Sequence, residues 1–491
     1  MSQSSQSSQS SIHLCIIQPG GSTPALGFLD QARFFRYQFR RLGAEVTIGK
    51  NRLRHDAINF VFGAHAGFDP DLTRRYRCVL VNLEQLGEHG AQVSPDYLRL
   101  LATTPVIDYD ERNAIAYGAS GRVPIVSFAH APYLATGDLQ PIEKRPTDIL
   151  FFGSMNARRL HLLQTIESAG CTVSLLPFGI FGPERDEEIR RAKAVFNCHF
   201  YDSARFEQAR VFHCLSLGTP VISERTASTM AAPQFDDSVF WVNADTIRAF
   251  FQSEFRAPSF ADAARARLAA FSTHDVIDQY AAALDYAQHQ FASRIIEAEL
   301  WRPERIHIGS GKDYMPGWLN LDILARAEPD VLLDLAAPLT LPKRLDSALA
   351  GPVELRADSV EFIYANNVLE HVGDLTQLMT NCLRLLKTDG QMLIEVPYEK
   401  APSAWQDPTH VRAFNENSWI YYAQWFWYLG WFESRFNIVE LHYLDANLAA
   451  TTVDHAYFMR VRLQKVATTA QERTTARAVR PDFGGIPEDA F

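Results

Sequence analysis

Several features that mark whole protein classes are absent or scarce in this chain of 491 residues. It has six cysteines but no C-x-x-C pair and no His/Cys cluster of zinc spacing, which argues against a disulfide scaffold and a zinc-binding fold. Most of the cysteines lie in apolar stretches, so we expect reduced core thiols and a cytoplasmic protein. They are Cys15, Cys78, Cys171, Cys198, Cys214 and Cys382.

Long apolar runs and long runs of one charge are also absent. No run reaches the roughly 20 residues of a membrane-spanning helix, and the opening MSQSSQSSQSS lacks the basic and apolar segments of a secretory signal. A net charge of -10 without a basic cluster offers no footprint for nucleic acid and no polybasic membrane address. We therefore expect no nucleic-acid partner and at most peripheral membrane association.

The pattern that is present is one of short apolar runs alternating with amphipathic helical stretches, which predicts parallel sheets covered by helices. The length predicts two or three domains. We predict an α/β fold with Rossmann-like domains at 12–139, at 146–300 with a helical linker, and at 301–466, where the last two strands pair antiparallel. The stretches 1–11 and 467–491 are predicted to be a disordered and a flexible tail.

The third domain opens with RIHIGSGKDYMPGWLNLD, which predicts a strand, a glycine turn and a second strand ending at Asp322. The turn Gly309-Ser310-Gly311 lacks the third glycine of a dinucleotide fingerprint and the spacing of a P-loop. We therefore predict a ligand without a pyrophosphate. S-adenosylmethionine fits, because its amino-acid part needs only a close backbone turn and its ribose needs an acid at the end of the next strand.

Three further motifs accompany this turn: DSVEFIYANNVLEHV, LRLLKTDGQMLIEVP and DPTHVRAF. Together they resemble class I S-adenosylmethionine-dependent methyltransferases, particularly the small ones encoded with surface-polysaccharide enzymes, over Arg305 to Val466. One departure is the short segment between the turn and Asp322, which leaves room for only about one turn of helix. The resemblance implies that the turn approaches the methionine moiety and that Asp322 holds the ribose hydroxyls. It also implies that Asp334 reaches the adenine side and that Asn366 and Asn367 line the methyl-transfer mouth.

Methyl transfer to a sugar hydroxyl requires positioning and the removal of a proton. His371 and His410 are the candidate bases, with Asp407 as an orienter or substrate ligand. The pair Glu370-His371 is equally compatible with a charged turn at a helix start. The aromatic stretch WIYYAQWFWYLGWF favours a core or interface over a sugar-stacking wall or a membrane-surface helix.

Polar residues also follow the strands of the first two domains, at the edge where ligands bind such sheets. In the first domain they are the candidate acceptor bases His65, Glu84 and Asp108. In the second, Gly153-Ser154 comes just before a predicted helix start that carries Asn156, Arg158 and Arg159. Backbone donors and guanidinium groups suit a diphosphate.

The motifs VNLEQL, DYDERN, DILFFGSMNARR, GPERDEEIRRAKAVFNCHF and FEQARVFHCLSLGTPVISE resemble GT-B-fold glycosyltransferases over about Ile12 to Leu300. The resemblance is to the group seen in spore-coat and surface-glycan proteins, and it implies a nucleotide-sugar donor and a glycan or lipid-linked glycan acceptor. His213 departs from it, because many such enzymes have a glutamate there for the donor ribose. Glu207 or Glu224 would then make that contact, beside Arg210.

Several alternatives remain open at this point. Arg158, Arg159 and Arg210 are also compatible with solvated helix residues, and Asp108 with Asp110 is compatible with a D-x-D manganese motif. The preferred hypothesis needs no protein-bound metal, because the arginine side chains stabilise the leaving diphosphate. Under this hypothesis, the protein is a bifunctional glycosyltransferase and O-methyltransferase of cell-surface polysaccharide biosynthesis. Its rivals are a methyltransferase whose N-terminal half is a non-catalytic glycan-binding or interaction module, and one that acts on a protein or small metabolite.

Overall fold

The structure is a computed structural model that describes residues 11–19, 23–119, 121–135, 139–292 and 300–479. The predicted tail at 1–11, apart from Ser11, and the last part of the predicted tail at 467–491 lie outside these residues. The chain divides into two compact units. The first unit holds residues 1–51 and 57–295, and the second holds residues 52–56 and 296–491.

A parallel five-stranded sheet opens the first unit. Its strands are β1 (Ser11–Ile16), β2 (Val46–Lys50), β3 (Ala57–Phe62), β4 (Arg77–Val81) and β5 (Val106–Ile107), in the spatial order β2-β1-β3-β4-β5. The central strand AINFVF is buried at every position, as expected of a strand covered on both faces. Around it lie α1 (Leu29–Arg41), α2 (Leu72–Arg75), α3 (Pro95–Thr103) and α4 (Glu111–Ala116).

The second sheet of this unit is also parallel. Its strands are β6 (Thr147–Phe151), β7 (Val173–Leu175), β8 (Ala192–Asn197), β9 (Val221–Glu224) and β10 (Phe240–Val242), in the order β10-β9-β8-β6-β7. Its helices are α5 (Ala157–Ser168), α6 (Pro183–Arg191), α7 (Gln208–Ser216), α8 (Pro233–Asp236), α9 (Ile247–Gln252) and α10 (Phe260–Ser272). The edge strands β2 and β10, which are short, were not predicted from the sequence.

The last described helix of the first unit, α11 (Ile277–Ala292), packs on the first sheet. The fully buried Tyr280 ring lies 5.6 Å from the Phe34 ring, 4.9 Å from Phe35 and 6.0 Å from Phe39. This corrects the prediction of a helical linker, because α11 belongs to the core that the two sheets share. The continuation of the predicted helical stretch, residues 293–299, lies outside the described part of the chain.

The second unit contains a mixed eight-stranded sheet with the order β13-β12-β11-β16-β17-β20-β18-β19. The strands of this unit are β11 (Arg305–Ile308), β12 (Leu319–Asp322), β13 (Val331–Leu332), β14 (Lys343–Ser347), β15 (Gly351–Leu355), β16 (Val360–Asn366), β17 (Leu386–Pro397), β18 (Ser434–Leu444), β19 (Ala450–Thr451) and β20 (Phe458–Ala467). Strands β14 and β15 form a separate hairpin that the sequence analysis missed. Strand β20 runs antiparallel to both β17 and β18, which confirms the predicted antiparallel pair.

The helices of the second unit are α12 (Leu375–Leu385), α13 (Ser403–Gln406), α14 (Ile420–Ala423) and α15 (Ala470–Val479). Helix α15 corrects the prediction of a flexible tail over its own length. It is held to the sheet by the buried Ala476 and by an ion pair of 2.8 Å between Arg435 and Glu472. No helix in the described part of the chain is long and apolar enough to cross a membrane.

The aromatic stretch from Trp419 to Phe432 divides between core and surface. Trp419 is fully buried and stacks on Phe414 with ring centroids 5.4 Å apart. Tyr422, Phe426 and Trp431 are also in the core, whereas Tyr421, Trp425 and Tyr428 are exposed. The favoured core interpretation therefore holds for one face of the stretch.

Replacing Tyr280 tests whether α11 belongs to the core. We expect Tyr280→Ala to destabilise the first unit by about 3–5 kcal/mol, the usual cost of removing a buried aromatic ring. Tyr280→Phe keeps the ring and should cost much less. Hydrogen exchange of the full chain should show faster exchange in α1 and α11 for Tyr280→Ala, and unchanged exchange would contradict the packing.

Candidate functional sites

A tight turn follows β11 and is hydrogen-bonded to the end of the neighbouring strand β12. Gly309 has a φ of +63°, and a Cβ at this position would lie 2.3 Å from Cγ2 of Val368. Gly311 has a φ of +46° and donates its N–H to Asp322 Oδ2 at 2.9 Å. Glycine is therefore required at position 309 both for the backbone conformation and for the close approach of Val368.

Asp322 is fixed by the backbone on both sides. Besides the Gly311 N–H, its carboxylate accepts the N–H of Leu324 at 2.8 Å, and the residue is 8% exposed. A carboxylate has about four lone-pair positions, so two remain for the hydroxyls of a ligand. The neighbouring Ser310 is buried, and its hydroxyl has no hydrogen-bond partner among the described residues.

The other predicted methyl-donor residues lie at the same edge of the sheet. Asn366 ends β16, and Asn367, with a φ of +50°, donates its side-chain N–H to Asn366 Oδ1 at 3.0 Å. Asp334 is exposed two residues beyond β13, which pairs with β12 next to Asp322. The carboxyl ends of the parallel strands thus gather all these residues, as such sheets do.

The two candidate bases face each other next to this edge. The rings of His371 and His410 lie 4.6 Å apart in an edge-to-face arrangement. His410 Nδ1 lies 2.8 Å from the Ala404 carbonyl oxygen, so this nitrogen carries a proton, and in the neutral ring Nε2 has the lone pair. Asp407 accepts the Thr409 hydroxyl at 2.6 Å, and Thr409 lies 2.9 Å from His371 Nδ1. Asp407 therefore orients His371 through Thr409.

Glu370 is a member of this site that had no role of its own in the sequence-based hypothesis, where the pair Glu370-His371 was equally compatible with a functional site and a charged turn. It is 1% exposed, and neither carboxylate oxygen has a hydrogen-bond partner outside its own residue. Burial raises the pKa of Glu370 to about 7, although His410 nearby lowers it in part. An acid within the apolar run VLEHV was the signal that could have identified it.

The first unit has a cavity of about 440 Å³ at the carboxyl ends of strands from both of its sheets. This volume suits a small-molecule ligand. Tyr109 contributes an aromatic wall, and Arg185 a cation that sequence reasoning did not select. The predicted residues that line the cavity are Glu84, Gly153, Ser154, Arg159, Glu207, Arg210 and His213.

Two arginines in this cavity share one carboxylate. Arg159 is only 2% exposed, forms an ion pair with Glu207, and donates to the Ser154 carbonyl oxygen at 2.8 Å. Arg210 Nη2 lies 2.6 Å from the other oxygen of Glu207. A Cβ at Gly153, where φ is +119°, would lie 2.7 Å from Arg210 Nη2. The glycine turn therefore lies directly against a cluster that carries one uncompensated positive charge.

The structure corrects the predicted roles of three neighbouring residues. Arg158 donates Nη1 to Glu224 Oε2 at 2.8 Å, and Glu224 is 4% exposed, so these two side chains are committed to each other. Asn156 accepts the N–H of Arg159 at 2.9 Å and so caps α5. None of the three lines the cavity. The direction of side chains around a helix start decides this, and the sequence does not specify it.

His213 is buried in an ionic network rather than facing a ribose. Its Nε2 lies 2.7 Å from Asp186 Oδ1, and Arg185 bridges Asp186 and Asp30, with 2.8 Å to Asp30 Oδ2. Burial opposes the ionisation of Asp186, but His213 and Arg185 lower its pKa to about 2. The segment GPERDEEIRR resembles a solvated helix in sequence, which is why this network was not predicted.

The three candidate acceptor bases do not all lie close to one another. His65 Nε2 lies 3.7 Å from Glu84 Oε1, and both side chains are partly exposed. Asp108 is fully buried and accepts N–H groups from Asn82 at 2.9 Å and Asn113 at 2.7 Å. Its burial raises the pKa to about 6, against the effect of these hydrogen bonds. The structure therefore corrects Asp108 to a structural residue.

The D-x-D metal hypothesis for Asp108 and Asp110 loses its support as well. Asp110 caps α4 by accepting the N–H of Arg112 at 2.9 Å, and it also pairs with the guanidinium of Arg112. The two carboxylates therefore have separate partners.

A family model described as a methyltransferase domain matches residues 192–431, a little under half of the chain. The matched stretch begins at β8 in the first unit and includes the glycine turn, Asp322 and the histidine pair of the second. No curated protein matches the chain.

The chain is also similar to solved structures. For an S-adenosylmethionine-dependent methyltransferase from Mesorhizobium loti, the identity is 16%, the match covers 33% of this chain and 90% of that one, and the TM-score is 0.23. For AviGT4, a glycosyltransferase involved in avilamycin A biosynthesis, the identity is 14%, the match covers 58% of this chain and 98% of that one, and the TM-score is 0.36. For TarM, the identity is 12%, the match covers 48% of this chain and 55% of that one, and the TM-score is 0.33.

The family match supports a methyltransferase domain with S-adenosyl-L-methionine as its cofactor, although it starts at residue 192, before the predicted start at 301. The residues present fit this cofactor: a turn without side chains at Gly309 and Gly311, a fixed acid at Asp322 and a buried hydroxyl without a partner at Ser310. The chain therefore carries an S-adenosyl-L-methionine-dependent methyltransferase domain.

Proposed function

We propose that this protein is a bifunctional enzyme of cell-surface polysaccharide biosynthesis, which transfers a sugar with its first unit and O-methylates a sugar with its second. One observation carries the proposal: a ligand-sized cavity, with a glycine turn against two arginines, occurs in the same chain as the methyl-donor site. The proposed partners are a nucleotide sugar and a glycan or lipid-linked glycan. We propose a cytoplasmic location, in keeping with six buried cysteines.

In the second unit, the chain's own residues would bind the cofactor and receive a proton. S-adenosyl-L-methionine supplies the methyl group when bound. Gly309 and Gly311 leave room for its amino-acid part, and Asp322 offers its free lone pairs to the ribose hydroxyls. His410, whose Nε2 has no hydrogen-bond partner among the described residues, would accept the proton of the sugar hydroxyl.

Substitution of Gly309 tests the assignment of the turn. We expect Gly309→Ala to weaken cofactor binding at least tenfold, about 1.4 kcal/mol, because the new methyl group would collide with Val368. Gly373→Ala is the matched control, since a Cβ there meets nothing within 4 Å. Calorimetric titration of the full chain measures both, and equal affinities for the two variants would contradict the assignment.

In the first unit, the arginine cluster supports a diphosphate site. Arg159 and Arg210 approach the turn at Gly153 from one side, and their shared Glu207 neutralises only one of them. Guanidinium groups bind phosphate oxygens in a bidentate manner, and they stabilise the charge of a leaving diphosphate. Tyr109 and the partly exposed Glu84 would then face the sugar and the acceptor.

Substitution of Arg210 tests this site. We expect ligand-observed NMR of the full chain to detect one nucleotide sugar from a panel, with at least tenfold weaker binding to Arg210→Gln, because the uncompensated charge is lost. Arg248→Gln, at an exposed position of α9, is the matched control. A well-folded chain that binds no nucleotide sugar would favour the rival in which this unit is a glycan-binding module.

The acceptor class is tested by following a labelled methyl group. With glycan fractions as acceptor, we expect label in glycan, and a rate at least 100-fold lower for His410→Ala with cofactor affinity unchanged. The rate of His442→Ala, an exposed histidine on β18, should equal that of the wild type. Label in protein or small metabolites, with none in glycan, would reject the proposed acceptor.

A further inference from the structure

Three potential metal ligands converge beside the methyl-donor turn. Glu370, His371 and His410 each offer one ligand atom, and these atoms all lie within 4.8 Å of one another. Glu370 and His371 belong to a short 3-10 helix that follows β16, and His410 belongs to the loop after α13. The backbone fixes this loop in place, since the Val411 N–H donates to the Glu370 carbonyl oxygen at 2.8 Å.

Both histidines are oriented as metal-binding histidines usually are. Such residues donate the second ring N–H to a carbonyl or carboxylate, which fixes the ring and leaves the other nitrogen for the metal. His410 meets this condition through the Ala404 carbonyl oxygen. His371 meets it through Thr409, whose hydroxyl hydrogen is directed to Asp407 at 2.6 Å, so that Thr409 accepts from Nδ1. The two Nε2 atoms are left to bind an ion.

Glu370 provides the independent observation that points to a ligand. A carboxylate that is 99% removed from solvent normally has hydrogen-bond or ionic partners, because burying it alone is costly. Both oxygens of Glu370 lack a partner outside their own residue. A bound cation would supply the missing partner, since no described side chain donates a hydrogen bond to either oxygen.

The geometry points to a divalent metal site formed by Glu370, His371 and His410, with an open coordination position. Two imidazoles and a carboxylate are a ligand set for first-row metals such as Zn²⁺ or Mn²⁺, and three protein ligands leave a position for water or substrate. Metal–ligand bonds of about 2.1 Å at tetrahedral angles place ligand atoms about 3.4 Å apart. The widest pair must therefore close by up to about 1.4 Å, which the exposed His371 permits.

The position of the site suggests what the open coordination position would hold. Val368, which covers Gly309, is only two residues before Glu370, and its carbonyl oxygen accepts the His371 N–H at 3.0 Å. The cation would thus lie at the methyl-transfer mouth. A coordinated sugar hydroxyl would become more acidic and would release its proton to water as it attacks the methyl group. With the metal bound, the Nε2 lone pair of His410 is occupied, so His410 would act as a ligand in place of the base. The activation of the hydroxyl rests on the proposed function, whereas the metal site itself does not.

Metal binding can be measured without any acceptor. The full chain is freed of metal with a chelator and titrated with Zn²⁺ or Mn²⁺ by calorimetry, and Mn²⁺ binding is read independently by electron paramagnetic resonance. We expect one site per chain for at least one of the two ions. Glu370→Gln, His371→Ala and His410→Ala should each lower its affinity at least tenfold, while S-adenosyl-L-methionine affinity, which reports the fold, changes less than twofold.

His442→Ala is the matched control, because His442 is an exposed histidine paired with Glu440 at 3.5 Å. It should keep the wild-type metal affinity. Absence of binding for both ions, or binding that the three variants leave unchanged, would overturn the site, the second result indicating an adventitious ion only. A metal-binding chain that fails to methylate glycans would reject the proposed acceptor and leave the metal site standing.

Discussion

The carboxylate of Asp322 connects the parts of the methyl-donor site. It accepts one N–H from the glycine turn after β11 and another from Leu324 after β12, so it holds two neighbouring strand ends in a fixed relation. The turn can come this close only because Gly309 has no side chain where Val368 lies against it. Val368 in turn leads into the segment that carries Glu370 and His371. The cofactor edge and the candidate metal site therefore depend on the same contacts.

The first unit also places its candidate ligand-binding residues at the carboxyl ends of parallel strands. Parallel strands bring their carboxyl ends to one edge, and here two such edges border one cavity. Charge within it is unevenly compensated: Arg185 is surrounded by acids, whereas Arg159 and Arg210 share a single carboxylate. An anionic ligand would therefore be attracted to Arg159 and Arg210. The buried network around His213 has a structural role instead.

Much of the fold could be predicted from the sequence, because central strands such as AINFVF are continuous apolar runs. The edge strand VTIGK and strand β14 of the hairpin were missed because they are partly exposed and carry no such run. Site residues fixed by the backbone, such as Gly309 and Asp322, were also predictable. Arg158 was not, because its direction depends on Glu224, a residue far along the chain. The run VLEHV marks Glu370 as unusual, but the packing of the loop at Val411 against it is not visible in the sequence.

The role of Asp322 can be tested by calorimetric titration of the full chain with S-adenosyl-L-methionine, comparing the wild type with Asp322→Asn. We predict one site in the wild type and at least tenfold weaker binding to the variant, because an amide cannot accept both backbone N–H groups and still face the ribose hydroxyls. The same affinity for both proteins, with the fold intact, would contradict the assignment of Asp322 and of the edge built around it.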